Sequence, residues 1–170
     1  MLNGFKKTFM SFKEKPNNDS NSGDVYSPAD GKIVQLEEVN DPVFQNRSIG
    51  DGCAVTPING KLFSPISGEV ITVFPTRHAI GIRSDDGKEI LLHIGINTVE
   101  LNGKGFTPYV KKGEFVKAGA LIMEFDLDFI KKHGYDTDII VILTNAKEYN
   151  GISCETKKIT HGEVLFTVVD

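Results

Sequence analysis

Two histidines, His78 and His93, lie in apolar-rich segments on either side of a sequence that is typical of a β-hairpin turn. Within that turn, Asp86 and Gly87 form a dipeptide that favours a two-residue loop. Such a loop places His93 opposite Ile80 and makes His78 its diagonal neighbour on the same face, with backbones about 7–8 Å apart. Two imidazoles could then reach one shared atom. A three-residue loop would instead predict rings on opposite faces.

Two converging imidazoles support three kinds of chemistry, namely metal binding, general base catalysis and phosphoryl transfer. A catalytic zinc site needs three protein ligands, but no carboxylate follows His78 at HxxxD spacing, and Gly95 stands two residues after His93. The G-x-S-x-G turn of serine hydrolases is also missing from the sequence. Phosphoryl transfer fits better, because one neutral imidazole can attack phosphorus while the other donates a hydrogen bond to phosphoryl oxygens.

A hydroxyl group and the absence of a nucleotide motif refine this hypothesis. Thr76, two residues before His78, should point to the same face and supply a further donor. The sequence contains no glycine-rich phosphate loop or Walker motif. The phosphoryl group is therefore expected to come from another phosphoprotein rather than from ATP.

The predicted register also sorts the neighbouring apolar residues onto two faces. The residues expected around the histidines are Ile80, Ile82 and Leu91. The residues expected to face the core are Ala79, Gly81, Ile90, Leu92 and Ile94. An uncovered apolar face that carries two nitrogen bases predicts a docking surface for another protein.

Along the chain, three segments differ in composition. Residues 1–15 place apolar side chains at helical spacing with lysines on the other face, which predicts either a basic amphipathic helix on an anionic membrane or a frayed tail. Residues 16–24 are polar and turn-forming, as in a linker. Residues 25–170 are expected to form one domain.

Short apolar runs separated by turn-forming residues dominate this domain and predict strands, at residues 32–39, 53–56, 68–74, 78–83, 89–94, 120–125, 138–144 and 163–169. Only residues 126–133 are typical of a helix, with Asp126 as N-cap and Gly134 past its end. The motif at residues 26–34 recurs at 63–71 as aromatic-Ser-Pro-x-x-Gly. We therefore predict an all-β fold, an antiparallel sandwich or flattened barrel with one or two short helices.

Composition excludes several classes of function. The formal net charge is −4, and the residues after 15 are more acidic still, because residues 1–15 carry four lysines and one glutamate. An acidic body does not favour nucleic-acid binding. Cys53 and Cys154 lack metal-binding spacing and are interpreted as small apolar residues in a reducing cytosol. The apolar runs are too short to span a bilayer, so a cytoplasmic location is expected.

Several motifs together resemble one family, the glucose-type enzyme IIA of the bacterial phosphoenolpyruvate-dependent sugar phosphotransferase system. The motifs cover nearly the whole chain after the linker: Ser27-Pro-x-x-Gly31, Asp41-Pro-Val-Phe44, Gly50-Asp-Gly52, Thr76-Arg-His78, LLHIGINTVELNGKGF at residues 91–106, and Glu124-Phe-Asp126. The resemblance implies a β sandwich and a phosphotransferase component in which His93 is phosphorylated at Nε2 and His78 assists.

The resemblance also implies partners. The donor would be the phosphorylated histidine-containing phosphocarrier protein, and the acceptor a cysteine on the enzyme IIB domain of a sugar permease. The residues that would dock both, by position or by the predicted register, are Asp41, Val43, Phe44, Ile80, Leu91, Asn97 and Val99. Asn97 departs from the family pattern, because relatives commonly carry Asp there.

The resemblance implies two further properties. No cofactor is required, although zinc can bind through His78 and His93 together with a partner's carboxylate. The basic tail can contact the inner face of the membrane.

The competing hypothesis is a regulatory protein-binding module with the same fold, which the presence of both histidines disfavours. A biotinyl-type carrier is disfavoured because the chain lacks a modifiable lysine in a Met-Lys hairpin tip.

Overall fold

A computed structural model describes residues 22–170 of the chain. The predicted tail at residues 1–15 and most of the predicted linker at 16–24 lie outside these described residues. Within residues 22–170, no helix has the length and apolar character that crossing a bilayer would require.

Strands make up most of the regular structure. In chain order they are β1 Asp24–Tyr26, β2 Gly31–Val34, β3 Asp51–Pro57, β4 Lys61–Phe63, β5 Gly68–Val73, β6 Ala79–Arg83, β7 Glu89–Ile94, β8 Phe106–Pro108, β9 Phe115–Val116, β10 Leu121–Phe125, β11 Ile139–Leu143, β12 Gly151–Ser153, β13 Lys158–Ile159 and β14 Val164–Val169. The α-helices are α1 Pro42–Gln45 and α2 Leu127–Lys132, and 3-10 turns cover Leu36–Glu38, Thr98–Leu101 and Ala146–Glu148.

The strands form one large sheet and two small ones. The eight-stranded sheet has the order β13-β2-β3-β11-β7-β6-β5-β9, and the three-stranded sheets have the orders β4-β10-β8 and β1-β14-β12. Every strand pairing recorded for the described residues is antiparallel. The prediction of an antiparallel all-β sandwich is confirmed.

Each predicted apolar run contains a strand, and the predicted helix is present as α2. Its N-cap is Asp126, whose side chain accepts a hydrogen bond from the backbone N–H of Phe129 at 3.0 Å. α1 and six strands of two to three residues were not predicted from the sequence. The signals for α1 were a capping Asp41 and Pro42 in its first turn.

The central strand β11 is buried on both of its faces. Its residues Ile139, Val141 and Leu143 belong to the main core between the sheets, whereas Ile140 and Ile142 point to the opposite face. On that opposite face lies a second cluster, which consists of Leu36, Val39, Phe44, Ala54, Ile96, Ile140 and Ile142. Burial on both sides explains why the strand reads as an unbroken apolar run rather than an alternating one.

The repeated aromatic-Ser-Pro motif forms two equivalent turns that bond to each other. The backbone N–H of Tyr26 donates to the carbonyl of Pro65 at 2.9 Å, and that of Phe63 donates to the carbonyl of Pro28 at 2.8 Å. In each turn the serine hydroxyl donates to the carbonyl two residues later at 2.7 Å. The repeated sequence motif therefore forms the same kind of turn at both places.

The hairpin between β6 and β7 differs from its prediction by one residue. The backbone N–H of Ser84 donates to the carbonyl of Lys88 at 2.9 Å, which leaves a loop of three residues instead of two. Gly87, with a φ of +95°, supplies the left-handed third residue that such a loop needs. His93 consequently pairs with Ala79.

This change of register exchanges the two faces of β6. Ile80 and Ile82 are fully buried, at 0% exposure, in the main core. The main-core residues on the facing strand are Ile90, Leu92 and Ile94, as predicted. Ala79 and Gly81 instead pair with His93 and Leu91 and share their face. The prediction that Ile80 and Ile82 surround the histidines is therefore wrong, and so is the assignment of Ala79 and Gly81 to the core face.

Candidate functional site

His93 is the fifth residue of β7, and the turn that follows the strand fixes its ring. Gly95 has a φ of +75°, and a Cβ atom there would lie 2.5 Å from Thr98 Cγ2 and 2.7 Å from the carbonyl oxygen of Asp136. The chain therefore needs glycine to turn so sharply. The Gly95 carbonyl lies 2.8 Å from His93 Nδ1 and can only accept, so Nδ1 carries the proton. In the neutral ring, Nε2 keeps its lone pair.

His78 reaches the same face by a different route from the one predicted. It lies just before β6, and the residue before it, Arg77, has a φ of +61°. The alternation of a strand therefore does not govern its side chain. The centroids of the His78 and His93 rings are 4.8 Å apart, with an angle of 84° between the ring planes. The two imidazoles converge even though the loop has three residues, the length that was expected to place the rings on opposite faces.

Thr76 orients the ring of His78. The Thr76 hydroxyl lies 2.8 Å from His78 Nδ1, and His78 is only 3% exposed. Phe74 places its ring edge-on at a centroid distance of 5.5 Å from His78. The hydroxyl of Thr76 therefore lies at the histidine pair, where it contacts His78.

The helix α1 packs a further aromatic ring against His93. Phe44 is buried in the second cluster, and its ring centroid lies 5.1 Å from that of His93 at an angle of 63°. Asp41 caps α1 by accepting a hydrogen bond from the backbone N–H of Val43 at 2.9 Å. Phe44 and Phe74 together enclose the imidazole pair in apolar surroundings.

Burial keeps both rings neutral. Burial lowers the pKa of His93 from 6.5 to about 4, the neighbouring His78 adds to the shift, and the hydrogen bond to Gly95 and the carboxylate of Asp41 oppose it. Burial also lowers the pKa of His78, and a hydrogen bond with the backbone of Thr76 opposes this shift. Near neutral pH, both imidazoles are therefore uncharged, and the lone pair of His93 Nε2 is free to react.

The predicted docking residues divide into three groups. Val43 and Val99 are 44% and 48% exposed, and Asn97 is exposed in the left-handed conformation at a φ of +60°. Asp41 and Leu91 are half-buried beside the histidines, and Phe44 is buried under His93. Ile80 is fully buried and cannot line a surface, so its assignment to the docking face is wrong.

Sequence reasoning missed two residues of this site. The carbonyl of Gly95 fixes the tautomer of His93, and Phe74 packs against His78. A glycine two residues after His93 was a signal for a turn with positive φ. No sequence signal identified Phe74, because its contact depends on the left-handed turn at Arg77.

The other two histidines lie in different surroundings. His161 is half-buried, its Nδ1 lies 2.6 Å from Asp30 Oδ1, and its ring stacks on Phe63 at a centroid distance of 3.8 Å. His133 is exposed and ends α2, with Nδ1 2.8 Å from the carbonyl of Phe129. Neither ring contacts another imidazole in the part of the chain that the structure describes.

The imidazole pair alone does not complete a metal site. In residues 22–170 there is no group of three or more His, Cys, Asp or Glu side chains that could hold an ion. Zinc sites take three or four protein ligands. His78 and His93 could supply two nitrogen ligands, so a zinc ion there would need at least one ligand from another molecule.

Fold and site together define a class of protein: an antiparallel β sandwich with two neutral imidazoles, one with a fixed tautomer, in an apolar setting at its surface. Comparison with known proteins narrows this class. The family model for the phosphoenolpyruvate-dependent sugar phosphotransferase system, EIIA 1, matches residues 23–149. The glucose permease IIA from Mycoplasma capricolum has a similar structure, with a TM-score of 0.75 and 38% identity over 84% of this chain and 93% of that one.

Curated relatives give the same result. The PTS system glucose-specific EIIA component of Halalkalibacterium halodurans is 40% identical over 143 residues, which are 83% of each chain. The PTS system glucose-specific EIICBA component of Streptococcus pneumoniae is 48% identical over 132 residues, which are 78% of this chain but 18% of that protein. A second EIICBA component, from Staphylococcus saprophyticus, is matched over 22% of its length.

The chain therefore belongs to the EIIA 1 family of the phosphoenolpyruvate-dependent sugar phosphotransferase system. Membership supports a role in phosphoryl transfer during sugar uptake. In the two EIICBA proteins the matching region is one part of a longer chain.

Proposed function

We propose that this protein is a phosphocarrier that accepts a phosphoryl group on Nε2 of His93 from the phosphorylated histidine-containing phosphocarrier protein. It then passes the group to a cysteine of an enzyme IIB domain. The observation that carries the proposal is the bond from Nδ1–H of His93 to the Gly95 carbonyl, 2.8 Å long. This bond leaves Nε2 as the nucleophile, beside a second imidazole.

Each transfer exchanges one bond to phosphorus for another. The lone pair of His93 Nε2 attacks phosphorus, a new N–P bond forms, and the N–P bond of the donor's phosphohistidine breaks. The donor's imidazole keeps that electron pair and leaves as a neutral ring, because its other ring nitrogen already carries a proton. In the second transfer the thiolate of the acceptor cysteine attacks phosphorus, and His93 leaves as a neutral imidazole. A neutral leaving group and a neutral nucleophile suit a reversible carrier.

His78 has the supporting role in this proposal. If the Thr76 hydroxyl donates to Nδ1 of His78 across their 2.8 Å contact, Nε2 of His78 carries the proton. That N–H can donate to a phosphoryl oxygen and offset the charge that develops during transfer. Thr76 then acts through His78, as a positioning residue, and not by touching phosphate.

Both partners would dock on the apolar surface around the imidazoles. Val43 and Val99 supply exposed apolar side chains, and Leu91 and Phe44 extend this surface inward. Asp41 adds negative charge at the rim and suits basic partners, whereas Asn97 adds a neutral amide there. An apolar centre with a charged rim is typical of transient protein interfaces.

Zinc and location complete the proposal. His78 and His93 would hold zinc only in a complex whose partner supplies a carboxylate, and the ion would occupy the nitrogen that must attack phosphorus. Bound zinc would therefore inhibit transfer. We also propose that the protein works in the cytoplasm and contacts the inner face of the membrane through the basic tail at residues 1–15.

Intact-mass measurement tests the proposal directly. The full chain is incubated with phosphoenolpyruvate and the two general phosphotransfer proteins, and one added phosphate is expected. The label should be lost in acid and retained in alkali, as for phosphohistidine. An acid-stable label, or no label under conditions that charge the donor, would contradict the proposal.

A further inference from the structure

Two cysteines that are distant in the sequence meet in the fold, away from the histidine site. Cys53 lies in β3 opposite Val141 of β11 and points into the main core, where it is 0% exposed. Cys154 follows β12, is half-buried and packs against the same core. β12, which ends one residue before Cys154, contacts β3 directly, and each thiol affects the pKa of the other. Both thiols are free.

The two thiols differ in reactivity. The interaction with Cys154, and then burial, raise the pKa of the Cys53 thiol. The interaction with Cys53 lowers the pKa of Cys154, Gln35 adds to this shift, and burial and the carboxylates of Asp51 and Glu155 oppose it. The half-buried cysteine is therefore the better thiolate, and the buried cysteine lies within its reach.

We propose that Cys53 and Cys154 form a reversible intramolecular disulfide when the protein meets hydrogen peroxide. The thiolate of Cys154 attacks one peroxide oxygen, the O–O bond breaks, and the departing hydroxide is protonated to water. The sulfur of Cys53 then attacks the sulfenic acid on Cys154, and the hydroxide that leaves takes the Cys53 proton as a second water. Two thiols lose two electrons, and one peroxide becomes two waters.

The position of this bond gives it a structural consequence. It would join β3 of the large sheet to the segment after β12, which belongs to a small sheet. The residue after Cys53 is Ala54, which lies in the second cluster and pairs with Ile140, the partner of His93. The disulfide would thus restrain β3 from the core side of the sheet. Only β11 separates β3 from β7, the strand that carries His93.

Thiol counting on the full chain tests the proposal. The protein is treated with hydrogen peroxide, quenched with catalase, denatured and titrated for free thiols, and then digested without reductant for peptide mass analysis. The expected result is the loss of both thiols, a peptide pair joining Cys53 to Cys154, a monomeric product, and full recovery of thiols with a dithiol reductant. Retention of the Cys53 thiol, or a disulfide-linked dimer as the main product, would overturn the proposal.

Two single variants separate the roles of the cysteines. Cys53→Ala should leave a sulfenic acid on Cys154 that a dimedone probe traps. Cys154→Ser should leave Cys53 unreactive to peroxide in the folded state. Equal peroxide sensitivity of Cys53 in wild type and in Cys154→Ser would overturn the assigned order of attack. The wild-type measurement needs no substitution, so a folding defect in either variant does not decide the outcome.

Discussion

Two histidine sites in this molecule place the same side chain in opposite surroundings. His93 faces the imidazole of His78 and the ring edge of Phe44, whereas His161 bonds to the carboxylate of Asp30 and stacks flat on Phe63. Within residues 22–170, neither His78 nor His93 forms an ion pair with a carboxylate. At the His93 site both imidazoles are uncharged and one ring nitrogen has a free lone pair, whereas at the His161 site the imidazole is bonded to a carboxylate.

This difference explains how one residue type serves two purposes. An adjacent carboxylate would repel an incoming phosphoryl group and would stabilise the protonated, non-nucleophilic imidazole. The His161 site therefore suits a structural contact, in which hydrogen bonds from His161 lower the pKa of Asp30 although burial opposes the shift. The His93 site suits chemistry, because burial without a contacting acid keeps the ring unprotonated.

The largest effect expected from this contrast is the loss of phosphorylation in His93→Gln. Glutamine has similar length but no nucleophilic ring nitrogen, so labelling from the charged donor should fall to background. The matched control is His161→Gln, which removes an imidazole from the other site and should be labelled at the wild-type level. Normal labelling of the His93 variant, measured by intact mass, would end the distinction between the sites.

A smaller effect is expected for His78→Gln. This variant keeps the nucleophile but loses the N–H donor that would offset charge on the phosphoryl oxygens. Removing one such donor typically costs about 10²–10³ in rate. We expect the variant to accept a phosphoryl group and to pass it on slowly, as followed by rapid-quench transfer to an isolated enzyme IIB domain. Transfer at the wild-type rate would exclude a role for this ring in the chemistry.

The two sites should also differ in how they couple stability to pH. The pKa of His93 is about 4 in the folded protein and 6.5 in the unfolded chain, so the unfolded state binds the extra proton first as pH falls. The free energy of unfolding should therefore decrease between pH 6.5 and 4, by roughly 2–3 kcal/mol from this group.

Urea denaturation at several pH values measures this dependence. The free energy of unfolding of the His93→Gln variant should change less than that of wild type between pH 6.5 and 4. The pKa of Asp30 is lowered from 3.8 in the folded protein. Its pairing therefore stabilises the fold above pH 3.8, and this stability is lost as the pH falls below that value. Parallel profiles for wild type and His93→Gln would contradict the burial of a neutral ring.

The smallest effect on transfer is expected for Asp30→Asn. The substitution weakens the charged hydrogen bond to His161 and should lower the free energy of unfolding by about 1 kcal/mol. Phosphoryl transfer should not change. Asp85→Asn, in the exposed hairpin loop, is a control for the change in charge and should leave both quantities as in wild type. A transfer defect in Asp30→Asn alone would show that the two histidine sites are coupled.

Much of the fold could be predicted because turn residues and apolar periodicity agree along the chain. The eight longer runs gave strands, and capping by Asp126 located α2. The two-residue strands β9 and β13 could not be predicted, because so few residues carry no period. They exist because long-range pairing supplies hydrogen bonds that no local pattern encodes.

The site shows a subtler limit of sequence reasoning. The pairing of His78 with His93 was predicted, but from a two-residue loop, whereas the loop has three residues. The error in register and the left-handed turn at Arg77 compensate for each other, so the rings still meet. The error in register did mislead the prediction for Ile80, which was assigned to the surface beside the histidines but lies in the core. Positive φ at a non-glycine residue has no reliable signature in a single sequence.

Strand β11, which is buried on both faces, gives a carrier a rigid surface for successive partners. It lies between β3 and β7, so the platform under His93 is held by hydrogen bonds on both edges and by side chains on both faces. A platform of this kind needs no ordering when a partner arrives, and association then loses little conformational entropy. Under the proposed function, the donor and the acceptor can therefore each bind briefly in the same geometry, without a change in the surface that receives them.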